Sequence, residues 1–141
     1  EKSQVQALAD RLTYMLREIK QSDPTIVITR LMRDDAPLET PIEEEFRVGV
    51  IGIAFDDSRQ LIQIDLQAVS EGDQEEPDFI DVDDLSGDQD ILRVLISPSV
   101  ADQFSKRALT VVNAGRQPCP FCGGPIDLRG HLCPRANGYR R

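Results

Sequence analysis

The sequence predicts an α+β fold in which an antiparallel sheet packs against two helices, with a small cysteine-containing unit at the C-terminal end. Two stretches repeat apolar residues at steps of three and four, as amphipathic helices do. Shorter stretches between them are β-branched or alternate apolar with polar residues, as half-buried strands do. All three cysteines and the only histidine follow the second helical stretch.

The composition indicates one globular domain with an aliphatic core. The chain has 141 residues, 40% of them hydrophobic, but only 5% aromatic and no Trp, so the core must consist mainly of Leu, Ile and Val. No apolar run approaches the roughly 18 residues that a membrane helix needs. No segment has the pattern of a signal peptide. We therefore expect a cytoplasmic protein that does not contact a membrane.

The first predicted helix covers residues 3–20, where apolar side chains recur on one face. Asp23 precedes Pro24 and ends the helix, because the residue before a proline disfavours the helical conformation. Residues 25–32 are β-branched and apolar and are predicted to form a strand. A proline-containing loop over residues 34–41 follows.

Residues 46–55 and 61–69 predict a two-stranded hairpin. The first strand is almost continuously apolar, and the short polar sequence between the two is a turn. The second strand alternates, which predicts one buried face and one wet face. The wet face would carry Gln63, Asp65 and Gln67.

The second half of the domain is predicted as loop, strand and helix. Residues 71–90 contain ten acidic residues and no basic ones, which is typical of an exposed acidic loop. Residues 91–96 are a strand. Ser97 and Pro98 begin the helix as N-cap and first residue, and Gly115 is its expected C-terminal cap. The spacing of apolar residues predicts an inner helix face formed by Val100, Phe104, Ala108, Leu109 and Val112.

The cysteines indicate a metal site. The sequence Cys119-Pro-Phe-Cys122 is a zinc-knuckle motif, in which two intervening residues let both sulfurs reach one ion. Gly123 after it lets the backbone turn so that amide N–H groups point at the thiolates. Tetrahedral zinc needs four ligands, and His131 and Cys133 supply the other two. Because four protein ligands leave no position for water, the sequence predicts structural rather than catalytic zinc.

Zinc would also explain how this end of the chain folds. A short, glycine- and proline-rich segment cannot bury enough apolar surface alone. Metal binding supplies free energy on the order of 10 kcal/mol in zinc-finger peptides. We therefore divide the chain into an α+β domain, residues 1–115, and a zinc knuckle with a basic tail, residues 116–141.

Other interpretations of these segments are weaker. Cysteines at this spacing are rarely just core residues. A redox Cys-x-x-Cys pair lies at a helix N-terminus after a strand, whereas this pair follows a helix. A calcium loop with Gly87 sixth would put Val82 first and Arg93 twelfth, where acids are required. The sequence contains no phosphate-binding glycine loop, nucleophile elbow or second histidine, so we predict no catalytic residues and no enzyme activity.

Charge differs between the two ends of the chain. Residues 1–104 hold nine basic and 24 acidic residues, a net charge of −15, whereas residues 105–141 hold seven and one, a net charge of +6. Arginines and a tyrosine beside a zinc knuckle can bind phosphate and stack on a base. They can equally pair with the acidic residues of 1–104 or remain solvated. The candidate contact residues of the tail are Arg135, Asn137, Tyr139, Arg140 and Arg141.

Three segments resemble an uncharacterised bacterial family that occurs in actinobacteria and Chloroflexi-type bacteria as a domain of unknown function. They read PLETPIEEEFRVG (residues 37–49), AGRQPCPFCGGPID (114–127) and GHLCPRANGYRR (130–141), and the likeness covers nearly the whole chain. The resemblance implies that the Cys/His residues and the arginines belong to the family's characteristic tail. It also implies further strands before Glu1, and it implies no reaction.

These observations predict a cytoplasmic, non-enzymatic protein in which structural zinc holds a contact surface for another protein. RNA or nucleotide-phosphate binding through the same basic tail is the alternative. An enzyme with an unrecognised site is the third interpretation.

Overall fold

The computed structural model describes residues 2–38, 40, 43–69, 78–85, 89–114, 119–124, 126, 131–133 and 135. In this part of the chain, two helices pack with a four-stranded sheet, as the α+β prediction requires. The elements are α1 (Lys2–Ser22), β1 (Val48–Asp56), β2 (Leu61–Ala68), β3 (Asp78–Ile80), a 3₁₀ turn (Val82–Asp84), β4 (Ile91–Ile96) and α2 (Pro98–Asn113).

The sheet has the strand order β3-β1-β2-β4. The predicted hairpin is confirmed, because β1 pairs antiparallel with β2, and β4 pairs antiparallel with the other side of β2. The three predicted strands pair antiparallel, as expected, and the sheet as a whole is mixed because an additional strand, β3, pairs parallel with β1. This three-residue strand lies within the acidic segment predicted to be a loop. It is too short for an alternating pattern to reveal it.

The core lies between one face of the sheet and the helices. Its side chains are almost entirely aliphatic, as the composition predicts, and Met15, Phe55 and Phe79 pack against its margin. The buried residues of this core are Leu8, Leu12, Leu16, Ile19, Ile26, Ile51, Ile53, Ile62, Ile64 and Ala101.

The predicted strand over residues 25–32 is absent from the sheet. The segment is extended, but its backbone bonds to side chains of α2. The Thr29 N–H donates to the Ser99 hydroxyl over 2.9 Å, and the Gln103 amide donates to the Met32 carbonyl over 2.6 Å. A β-branched sequence favours an extended backbone but does not determine which partner satisfies it.

The start of α2 follows the prediction. The Ser97 hydroxyl accepts from the Val100 N–H at 3.3 Å, and Pro98 occupies the first turn. The helix ends before Ala114, and the predicted cap Gly115 lies outside the described residues.

The buried face of α2 is rotated from the predicted one. Val100 and Phe104, predicted to face inward, are 38% and 39% exposed. Mostly small side chains replace them at the interface, which lets α2 approach α1 closely. The buried residues are Pro98, Ala101, Ser105, Ala108 and Val112.

The predicted wet face of β2 is partly covered. Asp65 is fully buried and Gln67 nearly so. The 3₁₀ turn lies against this side of the sheet, since a Cβ on Gly52 would lie 3.2 Å from Val82 Cγ1 and 3.0 Å from Leu85 Cδ1. The turn is part of the acidic segment, so its packing against the sheet could not be read from composition.

Gly49 provides a test of the sheet geometry. It lies at a bulge in β1, and a Cβ there would lie 2.8 Å from the backbone Cα of Val69. Gly49→Ala is therefore expected to lower the free energy of unfolding by about 1–3 kcal/mol in urea titrations. Wild type is the reference, and equal stability of Gly49→Ala and wild type would contradict the bulge geometry.

No helix in the described part of the chain is both long and apolar enough to cross a membrane.

Candidate metal centre

The four residues predicted from the sequence come together at one point. One ligand atom from each of Cys119, Cys122, His131 and Cys133 lies within 4.8 Å of all the others. The sulfurs of Cys119 and Cys133 are 3.7 Å apart, and the Cys122 sulfur lies 3.0 Å from His131 Nε2. We call these four residues the Cys3His cluster.

The turn between the first two cysteines, residues 119–124, forms a closed loop. The Cys119 N–H donates to the Gly124 carbonyl at 2.7 Å, and the Gly123 N–H donates to the Cys119 carbonyl at 2.8 Å. Gly123 has a φ of 74°, a left-handed conformation that glycine adopts without steric cost. The Cys-x-x-Cys-Gly sequence thus brings both sulfurs to the same side of one turn.

Backbone amides stabilise a thiolate at Cys119. The N–H groups of Cys122 and Phe121 donate to its sulfur and hold the pKa of the thiol at about 6. The Gly124 N–H likewise lowers the pKa of Cys122. Desolvation and the neighbouring Cys119 and Cys133 outweigh it, however, so the Cys122 pKa is raised. The amide N–H groups therefore point at sulfur, as the glycine in the motif predicts.

The cluster offers three sulfurs and one nitrogen, a donor set that suits one metal ion. Zn–S bonds of about 2.3 Å at tetrahedral angles place two sulfurs roughly 3.8 Å apart, and the Cys119–Cys133 distance of 3.7 Å agrees. The 3.0 Å between the Cys122 sulfur and His131 Nε2 is shorter than the roughly 3.5 Å of tetrahedral zinc and would lengthen around an ion. Cys119 and Cys133 are buried, and Cys122 and His131 are partly buried. The four side chains could therefore hold one metal ion.

Of the predicted contact residues in the tail, Arg135 is the one that the structure describes. Its guanidinium donates to the Phe121 carbonyl at 3.2 Å, which ties the start of the tail to the cysteine turn. Asn137, Tyr139, Arg140 and Arg141 lie outside the described residues.

Two apolar side chains beside the cluster were missed by the sequence reasoning. Phe121, between the first two cysteines, is 61% exposed, and Leu132, between His131 and Cys133, is 87% exposed. Their position in the sequence could have identified them. A large apolar residue next to metal ligands must point its side chain away from the ion.

The fold and the cluster together define a small α+β protein with a Cys3His site that could bind a metal ion. The chain belongs to the family described as protein of unknown function, DUF3090, whose model matches residues 1–133. The match confirms the resemblance to a domain of unknown function and includes all four residues of the cluster. Comparisons with curated proteins and with solved structures find no significant match.

Proposed function

We propose that this is a non-enzymatic, zinc-stabilised protein that binds another protein through the surface around its Cys3His cluster. The observation that carries the proposal is the convergence of four ligand atoms within 4.8 Å at one end of the chain.

Zinc is the metal that this ligand set favours. Thiolates select soft or borderline ions, and one imidazole with three thiolates in a tetrahedral arrangement is a common structural zinc site. Because the protein supplies all four ligands, no coordination position remains for water or substrate. This supports a structural ion over a catalytic one.

The surroundings of the cluster favour a protein partner. Phe121 and Leu132, each next to a ligand in the sequence, expose apolar side chains, and the Arg135 guanidinium bonds to the Phe121 carbonyl. Aromatic residues and arginine are enriched in protein interfaces, where exposed apolar groups become desolvated. Zinc would hold these side chains in a fixed arrangement and so reduce the entropy lost on binding.

RNA or nucleotide-phosphate binding is the second candidate. It is favoured by the net charge of +6 on residues 105–141, which include Arg140 and Arg141. Binding of this kind weakens steeply as salt rises, because phosphate contacts release counterions.

The test is affinity purification from the native host with the zinc-loaded chain as bait. We expect wild type to recover one discrete protein after nuclease treatment, and Leu132→Ser to recover at least about tenfold less, as hot-spot truncations do. Met32→Ser is the matched control, because Met32 is equally exposed at 89% and lies outside the cluster. Zinc content should be the same in all three proteins.

The two candidates give opposite results. Loss of the recovered partner on nuclease treatment, together with binding abolished by removing Arg140 and Arg141, would support the nucleic-acid interpretation instead. Equal recovery with Leu132→Ser and wild type would contradict the proposed surface.

A further inference from the structure

We propose that a cavity between residues 30–35 and α2 binds a small molecule that carries a phosphate group. The cavity has a volume of about 200 Å³, with residues 30–35 on one wall and residues 102–110 of α2 on the other. The described residues that line it include none of the Cys3His cluster. The inference therefore goes beyond the proposed function and depends on neither zinc nor the tail.

Hydrogen bonds from α2 hold the opposite wall of the cavity in place. The Arg107 guanidinium donates to the Asp34 carbonyl at 2.6 Å and also to the Ala36 carbonyl. The Gln103 amide donates to the Met32 carbonyl at 2.6 Å. A guanidinium has five N–H donors, so these bonds orient Arg107 and leave it donors for a ligand. The cavity is therefore formed before any ligand binds.

Most of the acidic side chains at the cavity already have partners. Four basic and three acidic residues line it. The Arg33 guanidinium contacts the Asp35 carboxylate at 2.6 Å, and Lys106 contacts the Asp102 carboxylate at the same distance. The carboxylate of the third acidic residue, Asp34, accepts a backbone N–H at 3.1 Å.

Two guanidinium groups at the cavity have no carboxylate partner among the described residues. Arg107 bonds to backbone carbonyls, which carry no net charge. Arg30 is exposed, lines the cavity and makes no hydrogen bond or ion pair within the described part of the chain. The cavity therefore presents positive charge that an anion can neutralise.

The charge of the surrounding elements also favours an anion at this place. Residues 2–36 and 98–113, which include both helices and the segment after α1, contain eight basic and six acidic residues. Residues 37–97, which include the sheet, contain three basic and 17 acidic ones. An anion is therefore attracted to the helices and repelled by the rest of the domain.

The number of cations favours phosphate over carboxylate. Arg33 and Lys106 are 74% and 66% exposed, and surface ion pairs of this kind are weak, so both can turn to a ligand. A phosphate monoester carries close to two negative charges at pH 7 and three acceptor oxygens, and guanidinium groups bind it through paired N–H donors. A carboxylate has one charge and two oxygens. Leu31 adds an apolar contact for an organic part of the ligand.

The test is a titration with glycerol 3-phosphate, followed by NMR of the backbone amides. We expect saturable shifts confined to residues 30–35 and 102–110, and an affinity that falls as salt rises. Arg30→Gln loses no bond within the described chain, yet it should bind at least about tenfold more weakly, since a hydrogen bond to a charged group is lost. Arg59→Gln is the matched control. It removes the same charge at the β1–β2 turn, outside the cavity, and should bind as wild type does.

Two further probes identify the ligand. Tighter binding of glycerol 3-phosphate than of inorganic phosphate would indicate a phosphorylated organic molecule, whereas at least equal binding of inorganic phosphate would indicate the free ion. Either result supports the proposal. Succinate, which carries only carboxylates, should bind more weakly than both.

Four results would overturn the proposal. They are no saturable binding of either phosphate probe up to about 10 mM, succinate binding as tightly as the phosphates, equal affinities of Arg30→Gln and Arg59→Gln, and loss of binding when Arg140 and Arg141 are removed. The last result would assign the phosphate to the tail, and so to the second candidate function.

Discussion

Cys122→Ser is expected to abolish stoichiometric zinc binding and to unfold the cysteine turn, residues 119–124, while the helices and the sheet remain folded. Serine cannot supply a thiolate, and three remaining ligands leave the ion incompletely coordinated. In zinc-finger peptides, metal binding contributes on the order of 10 kcal/mol to folding, so the loss should be complete at this site. Among the described residues, the hydrophobic core between the helices and the sheet includes none of the four cluster residues, which is why the effect should stay local.

Three measurements test this expectation. Elemental analysis in reducing buffer should give one zinc ion per wild-type chain and less than about a tenth of that in the variant. Hydrogen exchange should become fast at the amides of Cys119 and Gly123, whose carbonyl acceptors lie within the turn. Far-ultraviolet circular dichroism should keep the signal of α1 and α2.

Phe121→Ser is the matched control. It introduces the same side chain one residue away in the same turn, where the native side chain is 61% exposed and provides no ligand. The control should bind zinc as wild type does. Wild-type protein without bound metal, or Cys122→Ser that retains one zinc ion, would contradict the zinc proposal.

The metal cluster could be predicted from the sequence because most of its information is local. Cys119, Cys122 and Gly123 lie within five consecutive residues, so their spacing indicates which way the sulfurs and amides point. His131 and Cys133 required a chain return whose glycines and prolines are visible in the sequence. The same locality explains why both helices and the β1–β2 hairpin were predicted within a few residues of their observed ends.

The missed features depend on contacts between distant segments. Residues 25–32 have a strand-like sequence, but side chains of α2 rather than a neighbouring strand bind their backbone. β3 is recognised by its pairing with β1, not by a pattern of its own. The apolar spacing of α2 fits two overlapping faces. Packing against α1 selects the one with small residues and leaves Val100 and Phe104 exposed.

The environment of Asp65 also could not be predicted from the sequence, because it depends on contacts with another strand. Alternation placed it on the solvent side of β2, yet its carboxylate is completely buried. The Arg93 guanidinium binds it from β4 with contacts of 2.8, 2.9 and 3.2 Å, and the Gln63 amide donates a further hydrogen bond at 3.0 Å. These donors keep the pKa of Asp65 below its usual range despite burial. The ion pair depends on the register between β2 and β4, which no local pattern reveals.

Arg93→Ala is expected to shift the folding equilibrium at pH 7 toward the unfolded state by a factor of about 10 or more, because Asp65 is buried but the Arg93 side chain is 58% exposed and water screens part of the pair. Removing the exposed partner leaves a buried carboxylate without its counter-charge, which is more damaging than losing an ordinary surface pair. Arg59→Ala is the control, because Arg59 pairs with Asp56 across 3.7 Å at the exposed hairpin turn. That change should alter the equilibrium by less than about threefold. Urea titrations of the three proteins measure the difference.

The pH dependence distinguishes this mechanism from simple loss of packing. In wild type the folded pKa of Asp65 is lowered, so its contribution to stability is present above the unfolded pKa of about 4 and is lost as pH falls through the folded value. Without Arg93, burial raises the folded pKa above the unfolded one, and the variant loses stability as pH rises through that range. The gap between wild type and Arg93→Ala should therefore be largest near pH 7 and small near pH 3, where the carboxyl is protonated in the variant. A gap of equal size at both pH values would mean that Arg93 acts through packing of its aliphatic stem rather than through its charge.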